Sequence, residues 1–557
     1  MAQQCVSWFR VLRWAPVLGV ALLAACGGGG NPSEPPRQAA ADGEVAALSA
    51  NPSSISIRYA VADTYQGLTS NLTHQLNVVD RLSGEVVWHT DLVARSDHAT
   101  WFVSEGQQRD ASTNNIQYLG PQLLHYVQQG KVFQIDIGGG MTLTPQRISS
   151  LTNACGFDPE IFPVQGDGRH AWLVVRTSGA DGDCAQSFDN GKVLVFSSMP
   201  STTDAIGVPS SQTVVLNSLA DGQDGSTGLL TLDAGLRRIV IKSNDLTQTL
   251  HTFPGDVAPD QFVRLLAPLP GQSTRWLVQV GAQLRVLDRS STTPTLGPVL
   301  ASLTDRSAPL IYQRDEQGLY LANGHQLLSV NEAGTVSTLS SLPDEGGNAN
   351  SLWLTTTSVL VLQDEDNINL PPRNGRVLWS IRRDASNRQA LVQGQPYDET
   401  MVVNVENGLV YYTQWSESPN PTLRKIRDNG SGQALVASNI QLITAVIHPV
   451  YRPDSVSMQK LIWCEPLPER FDCGDGKVVA YDTASFAKTT LGTLPGNGAV
   501  YADARAVQHG WTGAQNLLFS PRWYTVEDSN TVFDIKTSLW LFSADTANSL
   551  RQVALPP

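Results

Sequence analysis

Arg383 and Asp384, four variable residues, then Gln389, Ala390, Leu391 and Val392 recur forty-four residues later as Arg427, Asp428, four variable residues, Gln433, Ala434, Leu435 and Val436. A match at the same internal spacing implies a duplicated supersecondary unit. The unit is plainest upstream. There Phe262 to Leu269, Trp276 to Val280, Leu284 to Asp288 and Leu296 to Leu303 are four short apolar runs split by Pro, Gly, Ser and Thr. Four such runs with turn residues between them predict a four-stranded antiparallel meander.

Working outward, the central pair of strands recurs at ten places. The pairs are Leu76–Asp80 with Glu85–Thr90, Leu123–Val127 with Lys131–Asp136, Trp172–Arg176 with Lys192–Phe196, and Leu229–Leu232 with Arg238–Lys242. The Trp276 unit follows, then Leu319–Ala322 with Gln326–Asn331, and Val359–Gln363 with Arg376–Arg382. Leu409–Thr413 with Leu423–Asp428, Leu461–Cys464 with Lys477–Asp482, and Leu517–Ser520 with Ser538–Asp545 complete the series. Asn323-Gly324, Asn374-Gly375, Asn407-Gly408, Asn190-Gly191 and Asp475-Gly476 are the pairs that tight hairpin turns favour. No helical period is sustained beyond the N-terminal segment, so the fold class is all-β. Repeats of about 40 to 60 residues, each a four-stranded meander, predict a β-propeller over residues 55–557, of about eight blades with seven to ten allowed by the spacing. An array of β-sandwiches is the competing architecture.

Charged residues make up 16% of the 557 and hydrophobic ones 41%, a balance that supports a core and argues against disorder. The net charge is −13, and no basic block is present to neutralise a run of phosphates, which argues against nucleic-acid binding. The acidic balance also disfavours electrostatic docking on anionic lipid.

The N-terminus carries an address. Arg10 and Arg13 precede an apolar run, Ala15 to Ala25, that is too short to span a bilayer and has the layout of a secretory signal over residues 1–25. Leu23, Ala24, Ala25 and Cys26 resemble the lipobox of bacterial lipoproteins. That resemblance implies lipidation of Cys26, and Gly27 in place of Asp after it implies sorting to the outer membrane of a Gram-negative cell, on its periplasmic or its outer side. An ordinary signal peptide with an incidental cysteine is the alternative. Residues 26–54 are rich in Gly, Pro and Ser. As a flexible coil of about 25 residues they would average roughly 25–30 Å end to end, a leash for the body.

With Cys5 in the signal and Cys26 lipidated, Cys155, Cys184, Cys464 and Cys473 remain. An even number in an oxidising compartment predicts two disulfides, and pairing of neighbours is the cheapest of three arrangements. Bridges beside strand-joining loops are expected to pin insertions, not the core.

Asp80, Ser83, Gly84 and Trp88 resemble the D-x-x-[ST]-G-x-x-x-W repeat of quinoprotein-type propellers, a type that includes quinone-dependent dehydrogenases and a non-catalytic lipoprotein of outer-membrane assembly. The resemblance covers one register, and the adjacent cysteines common in the dehydrogenases are absent. The simpler reading is that Asp80 and Gly84 shape a turn while Trp88 fills a gap between sheets.

Nine histidines are scattered, and no H-E-x-x-H, G-x-S-x-G or P-loop is present. Propeller sites draw single residues from several blades, so this does not exclude catalysis. Asp221 with Asp224, Asp364 with Asp366, and Asp181 with Asp183 offer hard oxygen ligands that suit calcium, although Asp and Gly in turns need no metal, and no other cofactor is expected. Trp415, Trp511, Trp523 and Tyr524 are the candidate ligand-facing aromatics, against the plainer reading that they wedge between blades. The functional expectation is a lipid-anchored, monomeric, non-catalytic platform for a protein or an envelope polymer. The competing expectation is an envelope carbohydrate-active enzyme with paired carboxylates about 5–9 Å apart at the propeller axis.

Overall fold

The computed structural model describes residues 59–68, 73–80, 82–92, 100–109, 116–137, 143–149, 151–157, 170–177, 191–197, 206–209, 213–219, 228–233, 236–243 and 246–258. It also describes 261–556 apart from 262, 273, 305–309, 316, 344–346, 365–375, 395–399, 407, 415–420, 446–459, 469, 471, 497–498, 502–516, 520–521, 527–532 and 544–545. Cys26 and the signal and leash expected before residue 55 lie outside these residues, as do Cys184, Trp415, Trp511, Asp181, Asp183, Asp221, Asp224 and Asp366.

Among the described residues the regular elements are strands, in ten antiparallel sheets, and each of the ten strand pairs read from the sequence lies in a different sheet; the tenth pair, Leu517–Phe519 with Leu539–Phe542, is not a hairpin, because the two strands between its members belong to the first sheet. The first sheet holds Tyr59–Leu68, Thr73–Asp80 and Val86–Leu92, extended by Phe533–Thr537, Arg522–Val526 and Ala499–Tyr501 from the far end of the chain. The second contains Trp101–Arg109, Ile116–Gln128, Lys131–Asp136 and Gln146–Arg147. The third runs from Ala154–Phe157 to Ile206–Pro209, the fourth from Thr213–Leu219 to Thr249–Thr252, and the fifth from Val263–Pro268 to Ala301–Ser302. The sixth contains Leu310–Arg314, Leu319–Asn323, Gln326–Val330 and Val336–Ser341. The seventh contains Asn348–Leu354, Ser358–Asp364, Val377–Arg382 and Arg388–Gln393. Thr400–Glu406, Leu409–Gln414, Thr422–Arg427 and Ala434–Ala437 make the eighth, and Gln441–Ala445, Lys460–Glu465, Lys477–Asp482 and Lys488–Thr493 the ninth. Leu517–Phe519, Leu539–Phe542 and Arg551–Val553 form the tenth.

Strand order within a sheet predicts burial. The second strand of the seventh sheet, Ser358–Asp364, is buried along its whole length, whereas the fourth, Arg388–Gln393, exposes alternate residues before two buried ones. A strand covered on both faces tolerates a continuous apolar run such as Val359 to Leu362, while an outer strand keeps the two-residue alternation. The hairpin turns differ in one detail from expectation. Asn323 stays in its strand opposite Gln326, so Gly324 and His325 make the turn, with Gly324 at φ 57°. Glycine at the first central position is the type II′ requirement. In the second sheet Gln129 and Gly130 both take positive φ, the type I′ solution.

The repeated string needs a correction. In the seventh sheet Ala390 lies opposite Trp379, the third residue of its strand, and in the eighth Leu435 lies opposite Arg424, again the third. Structurally equivalent residues are therefore forty-five apart, not forty-four. The units do repeat, but the matching letters are one place out of register. A one-residue slip moves a side chain to the other face of a strand. Leu391 is accordingly 9% exposed in the core while the same letter of the second copy, Leu435, is 55% exposed. The slip also makes Arg383 the counterpart of Asp428, each being the first residue after the third strand.

Successive sheets share apolar clusters at six places from the fourth onward: fourth with fifth, fifth with sixth, sixth with seventh, seventh with eighth, eighth with ninth, and ninth with tenth. The tenth then packs on the first through Leu539, Leu541 and Val553 against Ala62 and Val79, and the first packs on the second through Val61, Leu76 and Val78 against Leu124, Tyr126 and Ile135. Full burial of a Leu, Val or Tyr side chain is worth about 1.5–3 kcal/mol, so these seams hold the body together.

Polar pegs sit beside the apolar seams. The Arg383 guanidinium reaches back to Asp315 of the sixth sheet, and Asp428 accepts hydrogen bonds from Thr355 Oγ1 (2.6 Å) and Thr357 Oγ1 (2.9 Å) of the seventh. The Thr483 hydroxyl of the ninth sheet donates to Glu406 of the eighth at 2.6 Å.

The Cys464–Cys473 disulfide forms as expected, with 6.1 Å between Cα atoms, but its location differs. Both sulfur-bearing residues are fully buried with Ile462, Val478, Trp540 and Phe542. This bridge is therefore part of the core between the ninth and tenth sheets, because Cys464 lies on a second strand and those are the buried ones. Cys155 is also disulfide-bonded.

Candidate functional site

Among the described residues, polar groups converge on the seam between the first and second sheets. Cross-strand partners share a face of the sheet. The register aligns Val61, Val78 and Trp88 in one row, Asp63, Leu76 and Thr90 in the next, and Tyr65, His74 and Leu92 in the last. The apolar row meets the second sheet, with Trp88 against Tyr126 at 5.3 Å between ring centroids. The other two rows bring polar groups to the same seam.

On the side of the first strand, Tyr65 donates its hydroxyl to Asp63 Oδ2 at 2.7 Å, and His74 Nε2 stands 3.3 Å from the same oxygen. The His74–Asp63 approach meets an ion-pair distance but lacks hydrogen-bond alignment. The Tyr65 ring stacks on His74 at 4.5 Å and 11° between planes. Asp63 is 5% and His74 3% exposed, too deep for a polymer to reach. Thr537 binds the set to the C-terminal part of the chain by accepting the Tyr65 backbone N–H at 3.1 Å.

On the side of the third strand the seam opens into a cleft of about 460 Å³ lined by His89, Thr90, Asp91, Leu92, Gln128 and Gln129. Gln128 Nε2 donates to Thr90 Oγ1 at 2.6 Å and to the Asp91 carbonyl at 3.2 Å, which fixes the two walls relative to each other. His89, Asp91 and Gln129 are exposed at the mouth. Its lining offers an imidazole, a carboxylate, a hydroxyl and amides beside the apolar Leu92. On the strand that ends at Gln128, His125 is fully buried, and loss of solvation drives its pKa down to about 3 against weaker support from Gln134 and the Leu123 backbone. It stays neutral at ordinary pH.

The residues singled out from sequence fall in several places. Asp364 ends a buried strand and is bound by Arg376 Nε at 2.7 Å. Trp523 and Tyr524 lie in Arg522–Val526, a strand that extends the first sheet. Among the described residues no three His, Cys, Asp or Glu side chains are grouped to hold a metal ion. Asp80 and Gly84 do shape a turn: Asp80 Oδ1 accepts from the Leu82 and Ser83 N–H groups, and Gly84, at φ 79°, donates to the Asp80 carbonyl. The Asp63–Tyr65–His74 set escaped sequence reading because its members meet only through strand pairing, and the period-two spacing of Asp63 and Tyr65 was the one available signal.

No protein-family model matches the chain, and no curated protein matches it in sequence. Among solved structures, a eukaryotic initiation factor is similar at a TM-score of 0.38 with 13% identity, over 76% of this chain and 93% of that one. The dihydro-heme d1 dehydrogenase NirN in complex with DHE gives 0.34 and 11%, over 78% and 72%. An oligogalacturonate lyase in complex with manganese gives 0.30 and 12%, over 61% and 85%. Similarity at this level transfers no activity.

Proposed function

We propose that the mature chain is a lipid-anchored β-propeller of the outer membrane whose sheets follow one another around a single ring, and that it serves as a non-catalytic platform for an envelope polymer or a protein. The carrying observation is the succession of apolar seams, in which the tenth sheet packs on both the ninth and the first. Eight such seams, one of them between the last sheet and the first, support the packing that a propeller requires. Ten sheets among the described residues favour ten blades, the top of the range that the sequence spacing allows. Several carboxylates of the described body are committed to holding sheets: Asp315, Asp364 and Asp428 all bind neighbouring strands or turns. The open cleft at His89 to Gln129 is where a ligand would lie.

Two experiments test this. Cys26→Ser in the full chain should move the protein from the membrane fraction to the soluble one. Retention on the membrane would sink the anchor. Isolated cell-wall sacculi should retain the folded wild type and retain the Asp91→Asn/Gln129→Ala variant several-fold less. Equal retention of the two would remove the cleft from the reading, and no binding of either would remove the polymer.

A further inference from the structure

The cleft on the first sheet is lined by four consecutive residues, His89, Thr90, Asp91 and Leu92, with Gln128 and Gln129 opposite. Side chains of a strand alternate between its two faces. Thr90 and Leu92 belong to the rows that meet the second sheet, so His89 and Asp91 turn to the other face. One cavity that reaches all four therefore meets the strand at its edge, where the backbone is. Val86–Leu92 is that edge. It ends the strand order of the first sheet, and among the described residues no strand pairs beyond it.

The direction of the backbone groups follows from one bond. The Asp91 carbonyl accepts Gln128 Nε2 at 3.2 Å, so it points away from Thr73–Asp80, its neighbour in the sheet. In an antiparallel ladder the N–H and C=O of one residue point to the same side, and alternate residues share that side. His89 and Asp91 thus turn N–H and C=O to the cleft, and the Gln128 carboxamide satisfies one of these groups as the amide of an added strand would. The strand lacks two common guards of an edge, since it holds no Lys and no Pro. Its bulge at Val87 leaves Trp88 to Leu92 in regular register with Val78 to His74. The facing wall is fixed: Gln129 and Gly130 form the hairpin turn, and the Gly130 carbonyl accepts the Ala154 N–H at 2.8 Å.

On the reading that this cleft is the ligand site, we propose that its edge strand binds an extended segment of a partner protein as an added strand, with a basic residue of the segment opposite Asp91. Backbone groups spaced two residues apart match an extended peptide, whose own N–H and C=O repeat at that interval. A polymer without peptide bonds offers no such ladder. The wall beside the edge leaves about 460 Å³, room for a short strand and not for the sheet of a second copy. Asp91 is the one Asp, Glu, Lys or Arg in the lining, and opposite charges across a strand pair attract. The molecule already makes this kind of contact within itself. The Asn548 and Leu550 N–H groups donate to the Thr490 and Leu491 carbonyls on the outer strand of the ninth sheet, at 3.1 and 2.8 Å, and Leu550 packs on the apolar cluster there.

Peptide display tests this. A random heptapeptide library selected on the full-length folded protein should yield binders that carry Lys or Arg and protect the amides of 86–92 from hydrogen exchange. Methylating alternate backbone nitrogens of a selected peptide should abolish binding in one phase of the alternation and spare it in the other. His89→Pro removes an outward N–H that no ladder bond uses, so it should bind the peptide about tenfold more weakly than His89→Ala does, the worth of one backbone hydrogen bond. The methylation series is read on the wild type and decides the matter if His89→Pro does not fold. No selected peptide, indifference to the phase of methylation, or equal binding by the two His89 variants would overturn the added strand. Sacculus retention that depends on Asp91 and Gln129, with no selected peptide, would give the cleft to the polymer instead. Peptides that protect 86–92 while sacculi are not retained would keep the added strand and remove the polymer.

Discussion

The seams on either side of the eighth sheet solve one problem with their parts exchanged. Between the seventh and eighth sheets the acid, Asp428, comes from the later sheet and the threonines, Thr355 and Thr357, from the earlier one. Between the eighth and ninth the acid, Glu406, belongs to the earlier sheet and the threonine, Thr483, to the later. One seam back, Arg383 occupies the place of Asp428 and its partner is Asp315. What persists is the meeting of the turn after a third strand with the first turn of the preceding sheet. The chemistry of the peg is free to change as long as the pair stays complementary. That freedom explains why the pegs left no repeated letters.

The largest expected effect uses the slipped repeat. Leu391→Ala should cost about 2–4 kcal/mol, because it empties a core position between the seventh and eighth sheets, whereas Leu435→Ala should stay within about 0.5 kcal/mol. Denaturant melts of the two variants measure both. Equal losses would restore the forty-four-residue alignment and discard the slip.

Next in size is the charged peg. Arg383 also lies over the Tyr320 ring at 5.2 Å from its centroid, so Arg383→Ala removes packing as well as charge. A loss of about 2–3 kcal/mol is expected, and a double-mutant cycle with Asp315→Ala should show coupling of about 1 kcal/mol or more. Additive effects would show that the ion pair is incidental to the seam.

The smallest effect separates the two acid pegs by pH. Above about pH 7 Glu406→Gln should raise stability by up to about 1–2 kcal/mol and shift nothing near pH 4.5, since the wild-type group loses its proton between those limits. Asp428→Asn should instead lower stability by about 1 kcal/mol at neutral pH by weakening two hydrogen bonds. Thermal melts across pH 5 to 8 distinguish the two signs, and a common sign would mean that the pegs are equivalent after all.

Much of the fold was legible from residues alone. Val359 to Gln363, Leu319 to Ala322 and Leu461 to Cys464 announce buried second strands, since a run of apolar residues between turn signals has few other uses. Asp80 and Gly84 were readable as a turn because an Asx cap and a positive φ are local demands. The candidate site was much less legible. Asp63 and His74 are eleven positions apart, and the His89 cleft needs Gln128 and Gln129 from the next sheet. Neither separation is visible to a search for spaced letters.

The sequence by itself therefore determined the class of the chain, its unit and the position of nine of its hairpins, because alternation, strand length and turn chemistry act over a few neighbouring residues. Tertiary structure alone decided which letters of the repeated string are equivalent, which carboxylates meet which hydroxyls, and that Cys464 and Cys473 lie in the core. Those outcomes depend on strand register and on how one sheet leans on the next. Both are set by packing between residues far apart in the chain, where a shift of one place exchanges the buried face for the exposed one.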